Sequence, residues 1–155
     1  KIYTVRTRAS YKGKQKTIRD ILQEGKIPEE FFISNKSLPE WKYLKGSKKE
    51  ERTTAKGFTF TYSEGAVAFP DDLDSPSRTI ITSEGGASPS RFRHVIRDGK
   101  KLRRLTPLEL ERLNMFPDNF TEYDGVTDSK RAFIMGNALV VGVVEKIGKS
   151  LYRQR

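Results

Sequence analysis

The sequence predicts an α+β fold: a small mixed domain of short twisted strands and capped helices, followed by a strongly apolar helix near the C-terminus. Three observations carry that prediction. Short β-prone runs at residues 2–5, 58–62, 79–82 and 92–96 are separated by turn residues rather than by long helical patterns. Helix-start signals stand at Thr17, Ser37 and Thr106. Residues 138–147 are apolar around most of a helical girth.

Ile2-Tyr3-Thr4-Val5 is the first β-prone run. A strand needs neighbours, and none lies upstream, so the expectation is a strand belonging to a larger fold. A lysine at position 1 in place of methionine suggests a piece of something longer. Residues 6–16 are basic and polar and read as a loop. Thr17 can cap a short helix over 17–23, with Asp20 at its third position and Gly25 as its stop. Ser37, Pro39 and Glu40 repeat that logic for a helix closed by Gly46. Trp41, Tyr43 and Leu44 on it are expected in the core, with base stacking by Trp41 as the other reading.

Phe58-Thr59-Phe60-Thr61-Tyr62 alternates aromatic with polar, the period of a half-buried strand. Ser63-Glu64-Gly65 is a turn, and residues 66–69 are expected to return as its partner. Residues 70–72 and 74–77 are loops. Thr79-Ile80-Ile81-Thr82 reads as a strand leading into eight small or polar residues, 83–90. Residues 92–96 are strand-like again, Asp98-Gly99 makes a tight turn, and 101–105 pair back across it. Leu105-Thr106-Pro107-Leu108-Glu109-Leu110 is a complete helix start, with cap, first-turn proline, capping box and staple. Pro117-Asp118-Asn119 ends that helix. Residues 128–135 form a further short helix, and Gly136-Asn137 interrupts it. The helix over 138–147 carries Leu139, Val140, Val143, Val144 and Ile147, too broad an apolar surface for a helix lying on a small domain.

Composition narrows the chemistry. The 155 residues include 30 Lys/Arg, 20 Asp/Glu, one histidine (His94) and no cysteine, for a net charge of +10. Disulfides, thiolate metal sites, cysteine nucleophiles and multi-histidine metal clusters are excluded within this chain. No run of eighteen apolar residues exists to span a membrane. Residues 1–57 hold fifteen basic against seven acidic side chains, whereas residues 107–155 hold seven of each. The basic excess thus comes first, where it attracts polyanions, nucleic acid above all. A solvated lysine-rich surface accounts for the charge equally well.

Two segments stand out for binding. In the 83–90 loop, small residues let backbone approach a phosphate or base edge, with N–H groups as donors. Arg91 and Arg93 behind it can make bidentate contacts to phosphate or guanine. An ordinary flexible hairpin loop fits the same residues. No Gly-Lys-Ser/Thr follows, so it is not a P-loop. In Met135-Gly136-Asn137-Ala138-Leu139, Asn137 can cap the apolar helix, where free N–H groups would face an anion. A plain cap satisfies that sequence too.

The order Arg103-x-Leu105-Thr106-Pro107-x-Glu109-x-x-Arg112-Leu113, then Phe116-Pro117, then about twenty residues later Gly136-Asn137-Ala138-Leu139-Val140, resembles the two closing motifs of DNA (cytosine-5) methyltransferases. Thr79-Ile80-x-x-Ser83-x-Gly85-Gly86 is similar to the start of a recognition loop in that family. The resemblance implies a division into three parts: 1–5 as the end of a catalytic-domain strand, 6–125 as the target-recognition domain, and 126–155 as a helical segment returning to a Rossmann-like catalytic domain. It implies that Thr79 touches backbone phosphate, that Ser83, Gly85, Gly86 and Ser88, flanked by Arg91 and Arg93, meet double-stranded DNA, and that residues 62–71 lie near a second recognition loop. Arg104 and Thr106 would organise the small domain. Asn137 and Ala138 would lie beside S-adenosylmethionine, which is bound mainly by an N-terminal catalytic domain or subunit. No catalytic residue and no metal ligand is expected here. The family nucleophile is a cysteine in a Pro-Cys motif, so this chain alone is expected to be inactive. The implied setting is prokaryotic, cytoplasmic and nucleoid-associated, in restriction–modification. The alternative function is a non-enzymatic basic DNA-binding module derived from such a recognition domain, and a blander one is a domain that binds protein partners.

Overall fold

The computed structural model describes residues 3–6, 8 and 12–152. Its elements are α1 (Leu38–Lys45), β1 (Lys48–Thr53), β2 (Thr59–Glu64), β3 (Ile96–Asp98), β4 (Lys101–Arg103), α2 (Pro107–Leu113), α3 (Asp128–Asn137) and α4 (Val141–Tyr152), with single 3-10 turns at Arg19–Ile21 and Glu29–Phe31. The mix of short strands and short helices is the expected α+β type.

Helix α2 organises the core. The Thr106 hydroxyl accepts from the Glu109 N–H at 3.3 Å, and the Glu109 carboxylate accepts from the Thr106 N–H at 2.9 Å. This capping box satisfies two donors that a helix start leaves open. Pro107 stands at the first helical position, where it gives up no bond. Leu105 and Leu110, on either side of the cap, are buried with Ile18, Ile21, Ile96, Ala132 and Met135. Helix α3 and the turn Arg19–Ile21 both pack on α2.

The strands form two separate antiparallel pairs. β1 and β2 run in register from Lys48 opposite Glu64 to Thr53 opposite Thr59. β3 and β4 are joined by Gly99 and Lys100, with Gly99 at φ 55°, a conformation this tight turn needs and glycine adopts freely. Residues 31–33 flank β4: Ile33 N–H donates to the Leu102 carbonyl and Arg104 N–H to the Phe31 carbonyl.

Several elements differ from the sequence reading. The partner of β2 is the charged segment Lys48–Thr53, not residues 66–69, because this hairpin stands mostly in solvent and no apolar alternation is required of it. Residues 79–82 form no strand: the Thr82 backbone lies against α3 instead of beside a partner strand. Only Ile96 of the run 92–96 enters β3. Residues 17–23 make a single 3-10 turn, with Asp20 accepting from Thr17 N–H at 2.8 Å. Ser37 caps nothing with its side chain; Ser34 closes the preceding turn by accepting from Ser37 N–H. Trp41 is buried and Leu44 half-buried, but Tyr43 is exposed. Gly136 and Asn137 complete α3 rather than interrupting it, and the last helix begins at Val141. Tyr3 to Val5 join no ladder among the described residues, and Ile2 lies outside them.

Candidate nucleic-acid interface

The 83–90 loop rests on two buried guanidinium groups. Arg93 donates from Nε to the Ser83 carbonyl at 2.6 Å, and from Nη1 to the Ser88 carbonyl and, at 3.0 Å, to the Ser88 hydroxyl. Arg104 donates from Nη1 to the Gly85 and Gly86 carbonyls at 3.0 and 3.2 Å, and from Nη2 to the Glu30 carbonyl at 2.6 Å. Burial lowers the pKa of both arginines from its ordinary value; a guanidinium stays charged regardless.

The two glycines are there for space. A Cβ on Gly86 would meet the Arg93 guanidinium, 2.6 Å from Cζ. A Cβ on Gly85 would lie 2.8 Å from Ala132 Cβ and 2.9 Å from Ser129 Cα, so the loop is seated on α3. Gly136 does the same from the helix side, since its Cβ would stand 2.5 Å from Thr82 Cα. Glu84, the one acid of the loop, is turned under it. Its carboxylate faces the His94 ring at 2.8 Å and accepts from the His94 and Ile81 N–H groups, while His94 Nε2 meets the Ser77 hydroxyl at 3.1 Å.

Behind the loop, Arg91 ties three segments together. It donates to the Leu44 carbonyl at 3.1 Å, to the Gly46 and Gly65 carbonyls, and pairs with Glu64 at 3.1 Å. Lys45 is buried beneath, donating to the Arg93 carbonyl at 2.6 Å, and burial pulls its pKa down to about 8. Asp71 is buried too. It accepts two bonds from Arg78, at 2.8 and 3.1 Å, and one from the Val95 N–H.

The residues singled out from sequence therefore divide. Thr79, Ser83 and Ser88 are exposed, and Gly85 and Gly86 are half-buried. Arg91 and Arg93 are not free arms: both guanidinium groups are engaged by carbonyl oxygens of this chain. Glu84 and Lys45 escaped sequence reading, because nothing local marks a loop glutamate or a helix lysine as buried. Asn137 does not cap the last helix. It ends α3, exposed, with its amide donating to the Phe133 carbonyl at 3.0 Å. Ala138 borders a cavity of about 380 Å³ together with Thr79, Ile80, Asn114 and Gly136. No carboxylate lines that cavity to hold an amine or a ribose, so these residues do not by themselves make a site for S-adenosylmethionine. Among the described residues no group of three or more His, Cys, Asp or Glu is placed to hold a metal ion. No helix among them is long and apolar enough to cross a membrane.

The family model for C-5 cytosine-specific DNA methylase matches residues 2–153, and the chain belongs to that family. Among curated proteins, Type II methyltransferase M.Sau3AI of Staphylococcus aureus is 40% identical over 150 residues. That match takes in 97% of this chain and 35% of the relative, so the chain spans about a third of its length. Two solved structures share the fold at 18% identity. The S. pombe Dnmt2 methyltransferase matches with a TM-score of 0.63 over 92% of this chain and 44% of its own. The Entamoeba histolytica methyltransferase EhMeth matches with 0.62 over 93% and 42%.

Proposed function

We propose that this chain is the target-reading part of a cytosine-5 DNA methyltransferase that uses S-adenosylmethionine, with the 83–90 loop as its main contact to duplex DNA. The observation that carries the reading is that loop, exposed at Thr79, Ser83 and Ser88 and held rigid from beneath by Arg93, Arg104 and Glu84. A reader needs its contact groups fixed before DNA arrives, since ordering a loop on binding weakens affinity. On this reading Arg91 and Arg93 are positioning residues one layer below the DNA.

The methyl transfer belongs to residues outside this sequence. The family reaction attacks a flipped cytosine with a cysteine thiolate, and this chain has no cysteine. S-adenosylmethionine supplies the methyl group, and Asn137 and Ala138 would at most border its site. The exposed apolar side chains of α4, Val143, Val144, Ile147 and Leu151, suit a helix that packs against the catalytic part. A freestanding DNA-binding module has no use for that face.

Two measurements test the proposal. The chain is expected to bind labelled duplex DNA with an affinity that falls steeply as salt rises, because phosphate contacts release counterions. Incubated with duplex DNA and labelled S-adenosylmethionine, it is expected to transfer no methyl group. Salt-insensitive binding, or transfer above background, contradicts it.

A further inference from the structure

Resting on the reading that the 83–90 loop meets DNA, we propose that His94 is a positioning residue for target reading. Its imidazole, carrying a hydrogen on Nδ1, latches the entry of the loop to its exit through Glu84 and Ser77.

The latch is a chain of three side chains. Ser77 precedes the loop, Glu84 lies in it, and His94, the one histidine of the sequence, stands just beyond its end. His94 and Glu84 are both buried. Glu84 Oε1 accepts from the His94 backbone N–H, and His94 Nδ1 lies 2.8 Å from the same oxygen. Glu84 Oε2 accepts from the Ile81 N–H at 3.4 Å. A carboxylate only accepts, so a ring hydrogen stands on Nδ1. Around Glu84 are the cations Lys45 of α1, Arg93 and Arg104, whose charge a bare carboxylate answers. Arg78, next to Ser77, is paired with Asp71.

With the hydrogen on Nδ1, the other nitrogen of a neutral ring accepts. The Ser77 hydroxyl, 3.1 Å from Nε2, supplies the donor. That hydroxyl has a second acceptor in the Arg78 carbonyl at 2.7 Å. Its one proton thus has two places to go. It faces Nε2 when the ring is neutral, and the Arg78 carbonyl when Nε2 carries a proton of its own and donates to Ser77. Both states pair every polar atom of the latch. Among the described residues the buried side-chain atom without a partner is Glu111 Oε2, which lies outside it.

Arg93 and Arg104 hold the loop by its carbonyls; His94 closes it at the base, beside the segment that bears Thr79. Being wholly buried, the ring acts through Glu84 and Ser77 and touches no ligand. Without it a buried carboxylate loses donors and the base opens. A loop that must order itself on arrival of DNA binds more weakly.

A single imidazole makes the test direct. Long-range ¹H–¹⁵N spectra of the ¹⁵N-labelled 155-residue chain, recorded at about pH 8, above the ordinary histidine range, are expected to show Nδ1 protonated, the reverse of the tautomer that prevails in free histidine. Ser77→Ala is expected to shift the Nε2 resonance and leave Nδ1 protonated. A bare Nδ1, or an Nε2 resonance unmoved in Ser77→Ala, overturns the latch. Duplex binding reads the positioning. His94→Ala is expected to weaken it about tenfold, and His94→Asn, whose amide offers a donor in place of Nδ1–H, to recover most of the loss. If Asn binds no better than Ala while both fold as the parent does, His94 does not act through Glu84 and the proposal falls. If the unaltered chain binds no duplex at all, the DNA reading falls, and the spectra still decide the latch. Should a variant fail to fold, the unaltered chain decides alone: Nδ1 has to stay protonated when duplex is added.

Discussion

At the scale of single residues, the most exacting contact is the buried pair between Arg103 and Glu109. Two parallel bonds of 2.8 Å join them, Arg103 Nε reaches Asp98 at 2.7 Å, and Glu109 also closes the capping box. Removing one partner leaves the other charge buried, which costs about 3–5 kcal/mol. Glu109→Ala is expected to lower the urea unfolding free energy by that amount, with Asp98 compensating little because it is partly exposed. Lys45 makes a prediction in pH. Burial holds its folded-state pKa near 8, against 10.5 ordinarily, beside Asp71, Arg78, Glu84 and Arg91. As pH rises from 8 toward 10.5 the folded chain gives up this proton while the unfolded chain keeps it. The unfolded state then binds more protons, so this group raises stability across that window. Urea midpoints at pH 7.5 and 9.5 should show this rise, and Lys45→Met should remove it.

At the scale of elements, what could be read from sequence was what is decided within one turn. The α2 start at Thr106, Pro107 and Glu109 is local chemistry and forms as written. Thr106→Ala is expected to cost about 1 kcal/mol through the lost cap, and more if the Gln23 side chain, which accepts from the Thr106 hydroxyl at 2.7 Å, goes unpaired. Strand β1 was illegible because its burial is nearly uniform: Lys48 to Thr53 stand mostly in solvent, and the hydrophobic alternation that announces a strand has no core to answer to. Thr79 to Thr82 failed the other way. Their β-branched side chains promise a strand, but the backbone is claimed by Gly136 of α3, a contact fixed fifty residues away. The engagement of Arg91 was hidden for the same reason, since the carbonyls it binds belong to Leu44, Gly46 and Gly65, whereas Arg93 folds back onto Ser83 and Ser88 of the adjoining loop. Gly136→Ala tests that seat: with Thr82 backbone in the way, overpacking is expected to cost about 1–3 kcal/mol, read from thermal or urea unfolding.

At the scale of the whole molecule, the core is small and lies to one side, around α2, α3 and the turn Arg19–Ile21. Helix α4 leaves Val143, Val144, Ile147 and Leu151 between 48% and 64% exposed, an apolar face that the described residues cover only in part. Such faces associate in water. Sedimentation of the isolated chain is expected to show concentration-dependent self-association. Val144→Glu with Ile147→Glu should abolish it while leaving the unfolding free energy within about 0.5 kcal/mol, as for exposed positions generally. A large drop in stability instead would mean that α4 is buried in the chain's own core.

The seat of the 83–90 loop also bears on how its specificity can change. Its inward side is locked by Arg93, Arg104, Ala132 and Ser129, so Gly85 and Gly86 admit no side chain without moving a buried charge or a helix. Within the loop, Ser83, Ala87 and Ser88 are the exposed positions. Variation within the loop acts with least disturbance of the frame at those three places. A library confined to them would search target preference while holding the loop's shape constant; a library that spreads to the glycines would spend most of its members on unfolding.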